Sequence, residues 1–258
     1  MHLTPAKMKK YIHEALADER LRDSVDKATE TSVLSRKKIV DQIPYWEHLR
    51  YKTHEIKKNV LENLDSYLLQ FEANCLKNGM QVHWAVDAED ARRTVLDIAQ
   101  KNQVKNIVKS KSLTTEEIQL NEFLLGQKIN VLETDMGEYI VQLMGQIPSH
   151  LVIPALHLNR KDVGGLFERK LGVGYTEDPT KLLRIARAKL REKFLSADMG
   201  ISGTNYAIAD PGCFIIVENE SNAHHTITLP KIHVAIIGIE KILPSLKELP
   251  YFLKVLGP

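Results

Sequence analysis

From Met80 onward, short apolar runs alternate with segments of helical periodicity, and this alternation leaves the chain few folds to choose from. Residues 81–86, 104–108 and 129–132 read as strands. Residues 88–101 read as a helix between the first two, and Thr114 and Thr115, with Glu116 and Glu117 behind them, open a second helix before the third. A short helix is expected after Gly137, and a brief strand at 151–153 ends at Pro154. Strands separated by helices of about 10 to 15 residues need crossover connections, and crossovers make neighbouring strands parallel. The expectation is an α/β fold: a mostly parallel sheet flanked by helices.

On either side of this core the texture changes. Residues 1–78 read as a helical segment with one break near Asp41 and Pro44. Ile56, Val60, Leu64, Leu68, Phe71 and Cys75 recur every three or four residues, so they share one face of a long helix that Asn78-Gly79 closes. That face is expected to pack on the α/β domain at 79–258. Further on, residues 160–170 and 179–194 read as helices, the latter started by Asp178-Pro179. The stretch TNYAIADPGCFIIVENE reads as a hairpin turning at Asp210-Pro211-Gly212 and joined to the sheet, and residues 231–239 supply one more buried strand.

Several function classes are excluded at this level. With 35 basic and 33 acidic residues the net charge is +2, and there is no basic tract interleaved with aromatics, so nucleic acid is not an expected partner. The longest apolar runs, FIIV and HVAIIGI, fall well short of the roughly 20 residues a membrane helix needs, and MHLTPAKMKK has no apolar signal core. A cytoplasmic protein with no transmembrane segment is expected. Cys75 and Cys213 are the only cysteines, too few for a disulfide framework or for a cluster that takes about four thiolates.

In open α/β sheets ligands collect beyond the carboxyl ends of the strands, so polar clusters that follow strand-like runs are candidate sites. Lys109, Ser110, Lys111 and Ser112 leave a strand and enter a helix whose free N–H groups favour anions. They either hold a carboxylate or phosphate, or form a solvated loop with a helix cap. Glu133, Asp135 and Glu138 follow the next strand; crowded carboxylates raise one another's pKa and can make a general acid or base. Alternatively, Asp135 caps the helix and Glu138 sits in its first turn.

His150 and His157 flank an apolar run without the close spacing of a zinc pair, and each reads as structural. In GCFIIVENESNAHH a strand-like run, 213–217, ends in Glu218, Asn219, Glu220 and Asn222. Burying two acids there requires partners, so this polar end is expected at a cleft edge or a subunit contact. His224 and His225, adjacent in a strand, would point to opposite faces, and no metal site is expected.

Taken in order, VHWAVDAEDA, IVKSKSLTTEEIQLN, VLETDMGEYIVQL, PSHLVIPALHLNR, GISGTNYAIAD, VENESNAHH and GIEKILPSL resemble the LUD domain of the lactate utilization protein B family, from about Ile56 to Leu246. The resemblance implies a fold akin to that of ribose-5-phosphate isomerase, glucosamine-phosphate deaminase and the CoA transferases. It also implies a part in the oxidation of L-lactate to pyruvate, alongside other subunits of a lactate oxidation complex. Members continue into a cysteine-rich region that binds [4Fe–4S] clusters. Those cysteines are lacking here, so no cofactor is expected in this chain and clusters are expected in a full-length protein; the chain ending at Pro258 is either a fragment of that protein, the favoured expectation, or a natural truncation. By fold analogy Gly203, Asn205 and Asn222 join the serines and lysines around a cleft, with Lys109 and Lys111 meeting an anionic group and Glu133, Asp135, Glu138, Glu218 and Glu220 as candidate acids and bases.

Overall fold

The computed structural model describes residues 5–146, 148 and 153–257. Four short strands, β1 (Asn106–Lys109), β2 (Asn130–Glu133), β3 (Met199–Ser202) and β6 (Ile232–Ala235), form a wholly parallel sheet in the order β2-β1-β3-β6. Alternate residues of β1 face opposite layers, as a pleated strand requires. On one side Ile107 packs with Val95 and Ala99 of α5 (Ala88–Lys101) and with Leu120 and Leu124 of α7 (Leu120–Gly126). On the other, Val108 packs with Tyr139 and Ile140 of α8 (Met136–Met144), Leu166 and Phe167 of α9 (Arg160–Leu171) and Leu182, Ala186, Leu190 and Phe194 of α10 (Pro179–Ser196). The α/β class and its parallel sheet are as expected.

A second sheet, order β5-β4-β7, is built from the hairpin β4 (Tyr206–Asp210) and β5 (Cys213–Ile215) with β7 (Ile242–Ser245) parallel to β4. The hairpin was expected to join the main sheet; it founds its own because β7 pairs with it. Ala207 and Ala209 turn toward Val60 of α3 (Trp46–Glu62) and Phe71 and Cys75 of α4 (Leu64–Lys77), while Ile208 turns toward Phe252 of α12 (Leu249–Leu256). The stripe from Ile56 to Cys75 thus finds its partner, although the single long helix is broken at Asn63.

Other expectations change with the tertiary setting. Residues 81–86 form no strand: Met80 and Val82 pack on the second sheet's core, but the backbone pairs with no ladder. The helix opened by Thr114 is two, α6 (Leu113–Glu117) and α7, parted by left-handed Gln119. β5 is half-buried at a sheet edge rather than in the core, and so is β6. His224 and His225 lie on a short helix, α11 (Asn222–Thr228), not at a strand end. Most of the strand at 151–153, and His150, lie outside the described residues. Before α3, α1 (Pro5–Ala17) and α2 (Glu19–Val40) extend the helical segment. Among the described residues no helix is long and apolar enough to cross a membrane.

Candidate functional site

The order β2-β1-β3-β6 reverses direction between β1 and β3, so the loops leaving these two strands diverge and open a crevice. A cleft of about 360 Å³ lies there. Its near wall is Ser110, Lys111 and Ser112 after β1 with Asp135 after β2; its floor is Gly203, Thr204 and Asn205 after β3. The far wall is residues 216–220 with Asn222.

Each wall is held by identifiable bonds. Ser110 N–H extends the β1–β3 ladder to Ile201 O at 3.0 Å. Ser112 is the N-cap of α6, its hydroxyl accepting from Thr115 N–H at 3.3 Å. A Cβ at Gly203 would lie 2.7 Å from Ser112 Oγ, so only glycine lets floor and wall approach this closely. Asn205 Oδ1 accepts Val217 N–H at 2.8 Å and fixes the far wall to the floor.

The two acids of the far wall have different tasks. Glu218 accepts His224 N–H at 3.0 Å, at the start of α11. Glu220 accepts Met136 N–H, opposite Asp135, whose Oδ1 takes Gly137 and Glu138 N–H at 3.0 and 3.1 Å. Both therefore cap α8, where the helix dipole favours negative charge. Burial first, and Asp135 next, push the Glu220 carboxyl up, while Lys111 pulls it back.

Three expected site residues lie beneath the cleft instead of lining it. Lys109 is fully buried; its Nζ is 2.8 Å from Glu133 Oε1 and donates to Thr115 Oγ1 at 3.0 Å. Glu133 also accepts from Asn121 Nδ2 at 2.6 Å, and its N–H donates to Gln142 Oε1 at 3.0 Å. Glu138 is 4% exposed with Oε1 3.4 Å from Lys111 Nζ, and burial, then Glu133, push its carboxyl up to about 9. Lys109 does not line the cleft, and its ammonium is held by Glu133, whose loss would leave it buried and unpaired. The expected cap at Asp135 and the expected crowding of carboxylates both occur, on different residues.

Glu133, Asp135 and Glu138 were readable as a cluster; Thr204 and Lys241, which also line the cleft, were not singled out. Lys241 ends the short 3-10 turn Ile239–Lys241 between β6 and β7, two residues beyond the strand-like run 231–239. The buried Thr204 hydroxyl makes no hydrogen bond among the described residues. His157 Nε2 pairs with Gln146 Oε1 at 2.9 Å, away from the cleft.

Crossover-linked parallel strands with a polar crevice at their order reversal define an open α/β domain of the kind that takes ligands beyond its sheet. Residues 68–257 match the LUD domain family, and the chain belongs to it. It is 38% identical over 249 residues to Lactate utilization protein B 2 of Bacillus mycoides strain KBAB4, 96% of this chain and 53% of that protein. Lactate utilization protein B of Bacillus cereus strain AH820 and of Bacillus thuringiensis strain Al Hakam stand at the same 38%, with the same coverage. The chain spans about half the length of the curated relatives it matches. No solved structure matches it.

Proposed function

We propose that this chain is the LUD-domain portion of an iron–sulfur protein needed for oxidation of L-lactate to pyruvate, and that its own task is to hold a small anionic ligand in the cleft. The relatives' names support the lactate-utilization role. The observation that carries the ligand task is the cleft itself: Lys111 and the hydroxyls of Ser110 and Ser112 stand on one side of a crevice at the strand-order reversal.

A [4Fe–4S] cluster does not fit the residues present. It takes about four thiolates, whereas Cys75 is buried among apolar side chains with its thiol pushed up to about 11, and Cys213 is the only other cysteine. Electron transfer in this reading belongs to other parts of the full-length protein and to partner subunits. No redox step is routed through these residues.

The test is calorimetry on the folded protein with L-lactate, pyruvate, a sugar phosphate and a CoA ester. Heat is expected for at least one of them and is expected to vanish in Lys111→Ala, whose fold circular dichroism checks. No heat for any of the four overturns the ligand task. Unimpaired growth on L-lactate after deletion of the gene overturns the lactate role.

A further inference from the structure

Two lysines and two glutamates converge beneath the near wall from four places in the fold: Lys109 from β1, Lys111 from the loop after it, Glu133 from the end of β2 and Glu138 from the first turn of α8. Lys109 pairs with Glu133, and Lys111 lies against Glu138. If both acids are ionised, Glu133 Oε2 and Glu138 Oε2 are buried oxygens with no donor among the described residues. Each such orphan keeps the full desolvation cost of a buried acceptor, and two adjacent buried negative charges add repulsion. One proton removes both faults, because a carboxylic acid donates to a neighbouring carboxylate. Burial of Glu138 and the neighbouring Glu133 carboxylate both favour the protonated form of Glu138.

We propose that Glu133 and Glu138 hold one proton between them, so that the four groups together carry one net positive charge, presented to the cleft at Lys111, and an anion seated there is bound together with that proton. Lys109 is neutralised by Glu133; Glu138, as an acid, contributes none; the charge of Lys111 is what the four leave over. With Glu138 ionised, the same four groups would sum to zero and offer an anion no net attraction. Binding to that form takes a proton from water: anion, proton and ionised site combine into the protonated, occupied site.

The surroundings restrict which other groups can intervene. Glu133, Lys109 and Lys111 are the charged groups acting on Glu138. α9, packed on α8, brings apolar Leu166 and Phe167 to that layer. Asp135 and Glu220 lie beyond, each committed to N–H groups of α8, and Glu220 is within electrostatic reach of Lys111 in addition to Glu138.

This inference rests on the anion reading above, and its test separates the two. Infrared spectroscopy of the full chain, without any ligand, reads the carbonyl band of a buried carboxylic acid. The band is expected at pH 7, fading toward pH 10, and absent in Glu138→Gln. Its absence from the unsubstituted protein at pH 7 overturns the shared proton. Pyruvate titrations at pH 7 and pH 10 then read the linkage. The unsubstituted protein is expected to lose up to about tenfold in affinity per pH unit above 9 relative to Glu138→Gln, in which a neutral amide replaces the acid. The same ratio of affinities in both proteins overturns the linkage. A clear carbonyl band with no pyruvate heat at either pH sinks the anion reading and the linkage that depends on it, while the shared proton stands.

Discussion

Lys109 Nζ lies 2.8 Å from Glu133 Oε1 in a place where the lysine has no solvent exposure at all. Such a pair is a poor source of net stability but a severe liability when half of it is removed, because the remaining charge is stranded. Lys109→Met is expected to cost about 3–5 kcal/mol in urea unfolding at neutral pH. Adding Glu133→Gln should recover a substantial part of the loss, since no unpaired charge is then left. An unchanged stability for Lys109→Met would make this lysine a ligand group again.

Glu138 governs how stability depends on pH. Unfolded, its carboxyl titrates near the ordinary 4.5; folded, at about 9, raised by burial and by Glu133. Between those values the native chain keeps a proton that the unfolded chain releases. The contribution is therefore fully present below 4.5 and is lost as pH rises toward 9, at no more than about 1.4 kcal/mol per pH unit. Glu138→Gln has no such proton to lose. Its stability relative to the unsubstituted protein should rise between pH 5 and pH 8.5 in denaturant titrations, and parallel curves over that range would contradict the shift.

The sequence made the α/β class and much of the site legible for a simple reason. Helix periodicity and the polar residues at strand ends are local, and α5 spans Ala88–Lys101 as its pattern predicts. What local pattern could not carry was partnership. Nothing in residues 81–86 distinguishes a strand from an extended segment that packs without a ladder, and nothing in the hairpin announces that β7 will pair with it. The same limit applied at the site: KSKS placed two lysines side by side, but only the fold sends Lys109 under the cleft to Glu133 and leaves Lys111 at its wall. Glu218 and Glu220 reached the cleft as expected, yet their bonds to His224 and Met136 N–H groups depend on α11 and α8 arriving there.

Two glycines of the same stretch should separate folding from ligand uptake. A Cβ at Gly200 would strike the backbone carbonyl oxygen of Thr226, which sits on α11 and has no side-chain freedom to yield. Gly200→Ala is expected to cost about 1–3 kcal/mol or more. At Gly203 the obstacle is the Ser112 side chain, 2.7 Å from the same imagined atom. Gly203→Ala should displace Ser112 within the cleft, with a smaller stability loss and at least a tenfold drop in affinity for any ligand found by calorimetry. Equal stability losses in the two variants, with binding intact in Gly203→Ala, would refute the assignment of Gly203 to the cleft floor.

Phe71 tests whether the helices before residue 79 fold separately from the sheets that follow. It is 8% exposed on α4 and packs in one cluster with Val60 of α3, Ala207 and Ala209 of β4 and Ile242 of β7. Truncating a buried phenylalanine costs about 3–5 kcal/mol through lost transfer energy and the cavity left behind. Because the cavity would open between helices and sheet, the cost should fall on both. Phe71→Ala is expected to shift a single unfolding transition, seen at the same denaturant concentration by circular dichroism and by Trp84 and Trp46 fluorescence, both tryptophans lying outside that cluster. A variant whose tryptophan signal moves while the helical signal of the remaining chain stays in place would mean that the segment ending at Asn78 melts by itself. The packing of Ile56, Val60, Phe71 and Cys75 against the second sheet argues for the single transition, since it is on that sheet that α3 and α4 bury those side chains.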